Sequence, residues 1–199
     1  MKVDYNNFKN TKERQQIQMI INPSHNCTWS YNNGSLVINL TTDDGESYQL
    51  DTNYKVDDLD VRPENNEPFC VFDASLLTEY QDGISKLISD EGTVLSIGLR
   101  AVACMRFARV AVPYSKFFYP LNGRQITPSK GMFVNIYSRN GKYGHCIVLD
   151  EKDADGLVRL MLLSEELEVI ENRGFCNGNM IRLAPEYIGR YEEHKLKYA

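Results

Sequence analysis

A chain of 199 residues with 42% hydrophobic and 25% charged residues has an ordinary globular composition, which excludes collagen-like, disordered and coiled-coil architectures. Its 22 Lys and Arg against 27 Asp and Glu leave a net charge of −5 with no basic run, so nucleic acid is not expected as a direct specific partner. The most apolar stretch, residues 94–112, carries Arg100, Arg106 and Arg109; neither a membrane span nor an amino-terminal signal segment is expected. The five cysteines form no CxxC pair, which points to reduced, buried thiols rather than a zinc site or a disulfide framework.

Residues 6–16 are polar and read as a short leading helix or arm. Asn33-Gly34 and Asp44-Gly45 are hairpin turns by chemistry, because both central positions need positive φ. Leu36, Ile38 and Leu40 alternate with Val37 and Asn39, so residues 27–56 are expected to form an antiparallel meander. Residues 57–68 are acidic, with two prolines, and read as a connector.

From Asp73 the period becomes helical. Leu76, Leu77, Tyr80, Ile84, Leu87 and Ile88 share one stripe, with Asp73 or Ser75 as cap and Gly92 as stop. A second helix is expected over 94–112, apolar nearly all round and therefore buried. On it Arg100 lies about 120–180° away from Arg106 and Arg109. A buried guanidinium must be paired, so these arginines need acidic partners in the fold or in a neighbouring subunit.

After Pro128 the period returns to two. Residues 132–138, 143–150 and 157–163 predict a three-stranded meander, and 167–171 and 180–183 two short strands. Ala184-Pro185 opens a predicted last helix carrying Tyr187, Tyr191, His194 and Tyr198 on one stripe. The fold class is α+β: N-terminal hairpins, two central helices, a C-terminal barrel-like sheet and a short C-terminal helix. The organisation is a β-rich part at 1–70 with a polar arm and an α+β part at 71–199, or one compact domain joining them.

No cofactor or metal is implied. Glu151-x-Asp153-x-Asp155-Gly156 matches the first half of a calcium loop, but Leu162 stands where the closing bidentate Glu is needed. Phosphate-cradling glycine patterns are absent, and His25, His145 and His194 are too far apart for a local metal site.

Thr127-Pro-Ser-Lys-Gly131, Tyr143-Gly-His145-Cys146, Asp155-Gly156 and Ser164-Glu165 together resemble the C-terminal half of the CHAP amidase family. That resemblance implies cleavage of peptidoglycan amide bonds, with Cys104 as nucleophile, His145 as base and Glu165 as its orienter. Arg100, one turn before Cys104, would favour the thiolate.

The other reading is a non-enzymatic assembly subunit. Seventeen Asn and 12 Tyr suit an AT-rich genome, common among phages and some bacteria, and both the polar arm and the Tyr-striped tail need neighbours to hold them. This reading gives a tailed-phage virion component, such as a ring-forming connector or neck protein, located in the virion or cytoplasm. Its partners would be copies of itself and other assembly proteins. Its interface residues would be Tyr187, Tyr191, Tyr198, Arg100, Arg106 and Arg109.

Overall fold

Asn33 and Gly34 take φ of 50° and 79°, the left-handed pair that a two-residue hairpin turn requires. In the computed structural model they join strands β1 (Cys27–Asn32) and β2 (Ser35–Thr41), and β3 (Ser47–Lys55) completes the expected meander. The structure describes residues 27–41, 45, 47–111, 115–121, 126–171 and 173–191. The proposed leading helix at 6–16 and Asp44 of the second turn lie outside the described residues.

Strands β1–β3 and the short β4 (Glu67–Pro68) form an antiparallel sheet in the order β3-β2-β1-β4. Helices α1 (Val71–Ile84) and α2 (Glu91–Phe107) follow. One face of the sheet meets α2: the Trp29 ring packs edge-on to Phe107 at 5.0 Å, and the Tyr54 hydroxyl donates to the Cys104 thiol. The helices approach each other closely at Gly98, where a Cβ would come within 2.9 Å of Leu77 Cδ1. An acidic connector thus contributes an edge strand, β4, as well as a linker.

Both helix boundaries differ from those read in the sequence. Asp90 caps α2 by accepting from the Thr93 N–H at 2.9 Å, so α1 has already ended at Ile84 and Gly92 lies inside the next helix. Leu87 consequently sits in the intervening turn, exposed, while Leu76, Leu77, Tyr80 and Ile84 are buried as expected. Helix α2 stops at Phe107 because the chain beyond is captured in extended form. Ala108 bridges Leu59, and the Arg109 N–H donates to the Asp58 carbonyl at 2.9 Å.

The buried carboxylate of Asp73 joins four elements. Its Oδ2 accepts from Trp29 Nε1 of β1 at 3.1 Å and from the Cys70 N–H at the start of α1 at 3.0 Å. Its Oδ1 takes the Arg106 guanidinium of α2, which also reaches Glu67 of β4 at 3.3 Å. Desolvation alone would lower the Arg106 pKa, but the Asp73 charge and hydrogen bond outweigh it and hold it above its ordinary value. The expected acidic partner of Arg106 is therefore inside the fold. Asp73 is the third residue of α1 rather than its cap.

The chain divides by its internal contacts between Arg109 and Val110, so the expected boundary at 70/71 falls inside the first unit. The second unit holds a six-stranded sheet and a separate two-stranded hairpin. Its meander is as expected: β6 (Phe133–Tyr137), β7 (Tyr143–Asp150) and β8 (Val158–Leu162) run antiparallel. Strands β9 (Glu166–Ile170), β10 (Arg173–Cys176) and β11 (Met180–Leu183) follow, and β5 (Val110–Ala111) pairs with β11 in parallel. With β12 (Ile188–Arg190), the sheet order is β12-β6-β7-β8-β11-β5, and β9 and β10 form the hairpin.

One face of this sheet carries Val134, Ile136, Cys146, Val148, Leu160 and Leu162 into a buried cluster, which Leu167 and Val169 of β9 join. Gly144 leaves room there: a Cβ would lie 2.7 Å from Leu167 Cδ2, so a larger residue would displace that side chain. The calcium-like loop after β7 is filled by its own protein groups. Asp153 accepts from the Asp155 and Leu157 N–H groups and from Arg182 Nε at 2.6 Å, and Arg182 also reaches Asp155. Desolvation opposes these bonds, yet together they lower the Asp153 pKa.

Over the described residues 185–191 the chain does not take the predicted helical form. Pro185–Tyr187 make one 3-10 turn, and Ile188–Arg190 form β12, an edge strand pairing with β6. Proline suits the first position of either kind of helix, and the pairing with β6 draws the following residues into extended form. Residues 192–199, with His194 and Tyr198, lie outside the described residues. Among the described residues, no helix is long and apolar enough to cross a membrane.

Removing the Asp73 carboxylate strands a guanidinium and two N–H donors. Asp73→Ala should destabilise the protein by about 3 kcal/mol, whereas Glu67→Gln, at a partly exposed carboxylate, should cost less than about 1 kcal/mol. Chemical denaturation of the two variants would check this; equal, small losses would contradict it.

Candidate functional site

Cys104 lies in the last turn of α2, fully buried, with the Tyr54 hydroxyl as its partner. Burial pushes its thiol up to about 12 despite the opposing pull of Tyr54 and Arg100. A nucleophilic cysteine needs an accessible thiolate, and this position supplies neither access nor ionisation. Cys27 is similarly buried and pushed up to about 12, and burial raises Cys146 as well. The exposed cysteines are Cys70 and Cys176.

The other two residues of the amidase set lie in the second unit. His145 Nδ1 is hydrogen-bonded to Asn135 Oδ1 at 2.8 Å, where an orienting carboxylate would be needed. With Oδ1 as acceptor, Nδ1 carries the hydrogen. Glu165 is exposed just before β9, and its carbonyl accepts from the Asn177 N–H at 3.0 Å. Tyr143-Gly-His145 opens strand β7, and its glycine makes room for Leu167; what counts against the amidase reading is the burial of Cys104. Among the described residues no cluster of three or more His, Cys, Asp or Glu could hold a metal ion.

What the second unit does assemble is an aromatic strip. Strand alternation puts Phe133, Asn135 and Tyr137 of β6 on the face opposite the buried cluster, and the register sets His145 across from Asn135 and Tyr143 across from Tyr137. The Tyr137 and Tyr143 rings stack at 4.4 Å, and Tyr119 lies against Tyr137 at 5.3 Å. Further along, Tyr191 meets Phe133 at 5.7 Å and His145 at 5.4 Å, both edge-on. Tyr119 and Tyr143 are 41% and 37% exposed. Arg139 lies over the Tyr119 ring at 5.2 Å, and Lys116 over Phe117 at 5.5 Å.

The sequence-derived interface residues are distributed differently. Tyr187 packs partly buried against the second unit's core, and Tyr191 belongs to the aromatic strip. Arg106 is engaged by Asp73, Arg100 is half-buried on α2, and Arg109 is exposed. Next to the Asp73 centre, the first turn of α1 exposes Val71 and Phe72 at 83% and 56%. Sequence reasoning missed Tyr119, Tyr137, Arg139, Val71 and Phe72. The Arg139-Asn-Gly141 turn could have indicated that Tyr137 and Tyr143 face each other.

No protein-family model matches the chain. Over 134 residues, comprising 66% of this chain and 72% of the relative, it is 29% identical to cell division protein ZapC of Aeromonas hydrophila. This similarity overturns the expectation of a tailed-phage connector or neck protein, and the virion location with it: the chain resembles a protein of bacterial cell division.

Proposed function

We propose that this chain is a bacterial cell division protein that works by binding other proteins and not by catalysis. The observation that carries the proposal is its similarity to ZapC across most of both chains. Two features of the surface support it. The aromatic strip with Arg139, and the Val71-Phe72 pair at the start of α1, expose large side chains on well-packed elements. Tyrosine, phenylalanine and arginine are the types that dominate protein contacts, because they bury much area with little rotamer loss. The buried Cys104 and the amide-paired His145 leave the amidase mechanism without its nucleophile.

A fluorescent fusion of the chain, expressed from its own locus, should concentrate at the division site of dividing cells. Uniform fluorescence throughout dividing cells would contradict the proposal. Its non-catalytic part makes a separate prediction: iodoacetamide at neutral pH should modify Cys70 and Cys176 in the native protein and spare Cys27, Cys104 and Cys146 until unfolding. Labelling of Cys104 as fast as Cys70, read by peptide mass spectrometry, would restore the nucleophile and overturn this reading.

A further inference from the structure

Residues 115–121 and 137–143 contain Lys116, Arg139 and Lys142 and no Asp or Glu, in a chain whose net charge is −5. The fold brings the two segments side by side. The Tyr119 N–H donates to the Tyr137 carbonyl at 2.9 Å, and the Arg139 N–H to the Phe117 carbonyl at 2.8 Å. The β6–β7 turn within the second segment is closed by the Ser138 N–H donating to the Lys142 carbonyl at 2.9 Å, with Gly141 at φ 77°. Lys116, Arg139 and Lys142 are all exposed, and the Arg139 guanidinium lies over the Tyr119 ring of the Tyr119–Tyr137–Tyr143 stack. The result is a local basic and aromatic surface held by backbone bonds.

We infer that this surface is a docking site for an acidic peptide segment of a partner protein, one that carries aromatic or aliphatic side chains between its carboxylates. The inference rests on the protein-binding reading above and adds the chemistry of the partner. The charges select the ligand: carboxylates fit Arg139, Lys116 and Lys142, and complementary potential sets register and encounter rate. The rings select its spacing residues, since a stacked tyrosine offers a rigid apolar face with a polar tip. Because the strip is already ordered, binding requires little further loss of conformational freedom there. Single-stranded nucleic acid also uses stacking and cations, but this chain's overall negative charge opposes a polyphosphate.

The test uses the full chain and three fluorescein-labelled probes: a peptide of repeating Glu-Asp-Phe-Leu, its neutral Gln-Asn-Phe-Leu analogue, and an oligothymidine. Fluorescence anisotropy should show the acidic peptide bound, and the neutral analogue bound roughly tenfold or more weakly. The double variant Arg139→Glu, Lys142→Glu should lose roughly tenfold or more in affinity for the acidic peptide, with an unchanged melting temperature. Tyr143→Ala should weaken both peptides. The inference is overturned if the acidic peptide does not bind, if the charge-reversed variant binds it equally well, or if the oligothymidine binds more tightly. In cells, a charge-reversed fusion that reaches the division site as the native fusion does would overturn this docking surface and leave the division role standing. A native fusion that fails to reach that site would overturn the division role, and peptide binding would still decide the surface.

Discussion

A buried carboxylate is costly unless every lone pair is used, and the first unit of this protein is arranged around one. Desolvating such a charge costs several kcal/mol. Asp73 recovers this through Arg106, the Trp29 indole and the Cys70 backbone. Each partner comes from a different stretch of chain, so satisfying the charge fixes β1, the start of α1 and the end of α2 together, and Glu67 ties β4 to the same guanidinium. Aromatic packing seals the arrangement: Trp29 lies between Phe69 at 5.4 Å and Phe107 at 5.0 Å, each ring pair adding about 0.5–1.5 kcal/mol beyond its buried area. Placing the start of α1 over this centre leaves its first side chains, Val71 and Phe72, facing outward.

Features set by local chemistry were legible in the sequence. Asn33-Gly34 fixed its hairpin because few residues tolerate the turn's φ, and the β6–β8 meander followed from alternation between Gly-bearing turns. Features decided by distant partners were not. The stripe through Tyr187 and Tyr191 has helical spacing, but pairing with β6 turns residues 188–190 into a strand. Asp73 looked like a cap because capping residues and buried ion-pair partners share the same side chain. Its role needs knowledge of Arg106 and Trp29, which come from elements far along the chain.

The site shows the same division. Cys104, His145 and Glu165 have the residue types of a thiol hydrolase, yet type does not reveal burial, and burial alone removes the thiolate. The aromatic strip is cross-strand geometry: Tyr137 and Tyr143 meet because the turn sets their register, and Tyr119 joins them through the contacts of residues 117–119 with 137–139. Composition misled in another way. An excess of Asn and Tyr does not locate a protein, and similarity to ZapC of a bacterium replaces the virion reading.

The central claim is that this chain acts through a specific surface toward an acidic partner in dividing cells. The most direct measurement replaces Tyr143 with a photo-crosslinking phenylalanine analogue, irradiates dividing cells and sequences the captured peptide. The account predicts crosslinks to an acidic segment of a cell division protein, lost when Arg139 and Lys142 are changed to Glu in the same chain. Crosslinks that persist unchanged in that variant, or that form to segments without acidic residues, would contradict it.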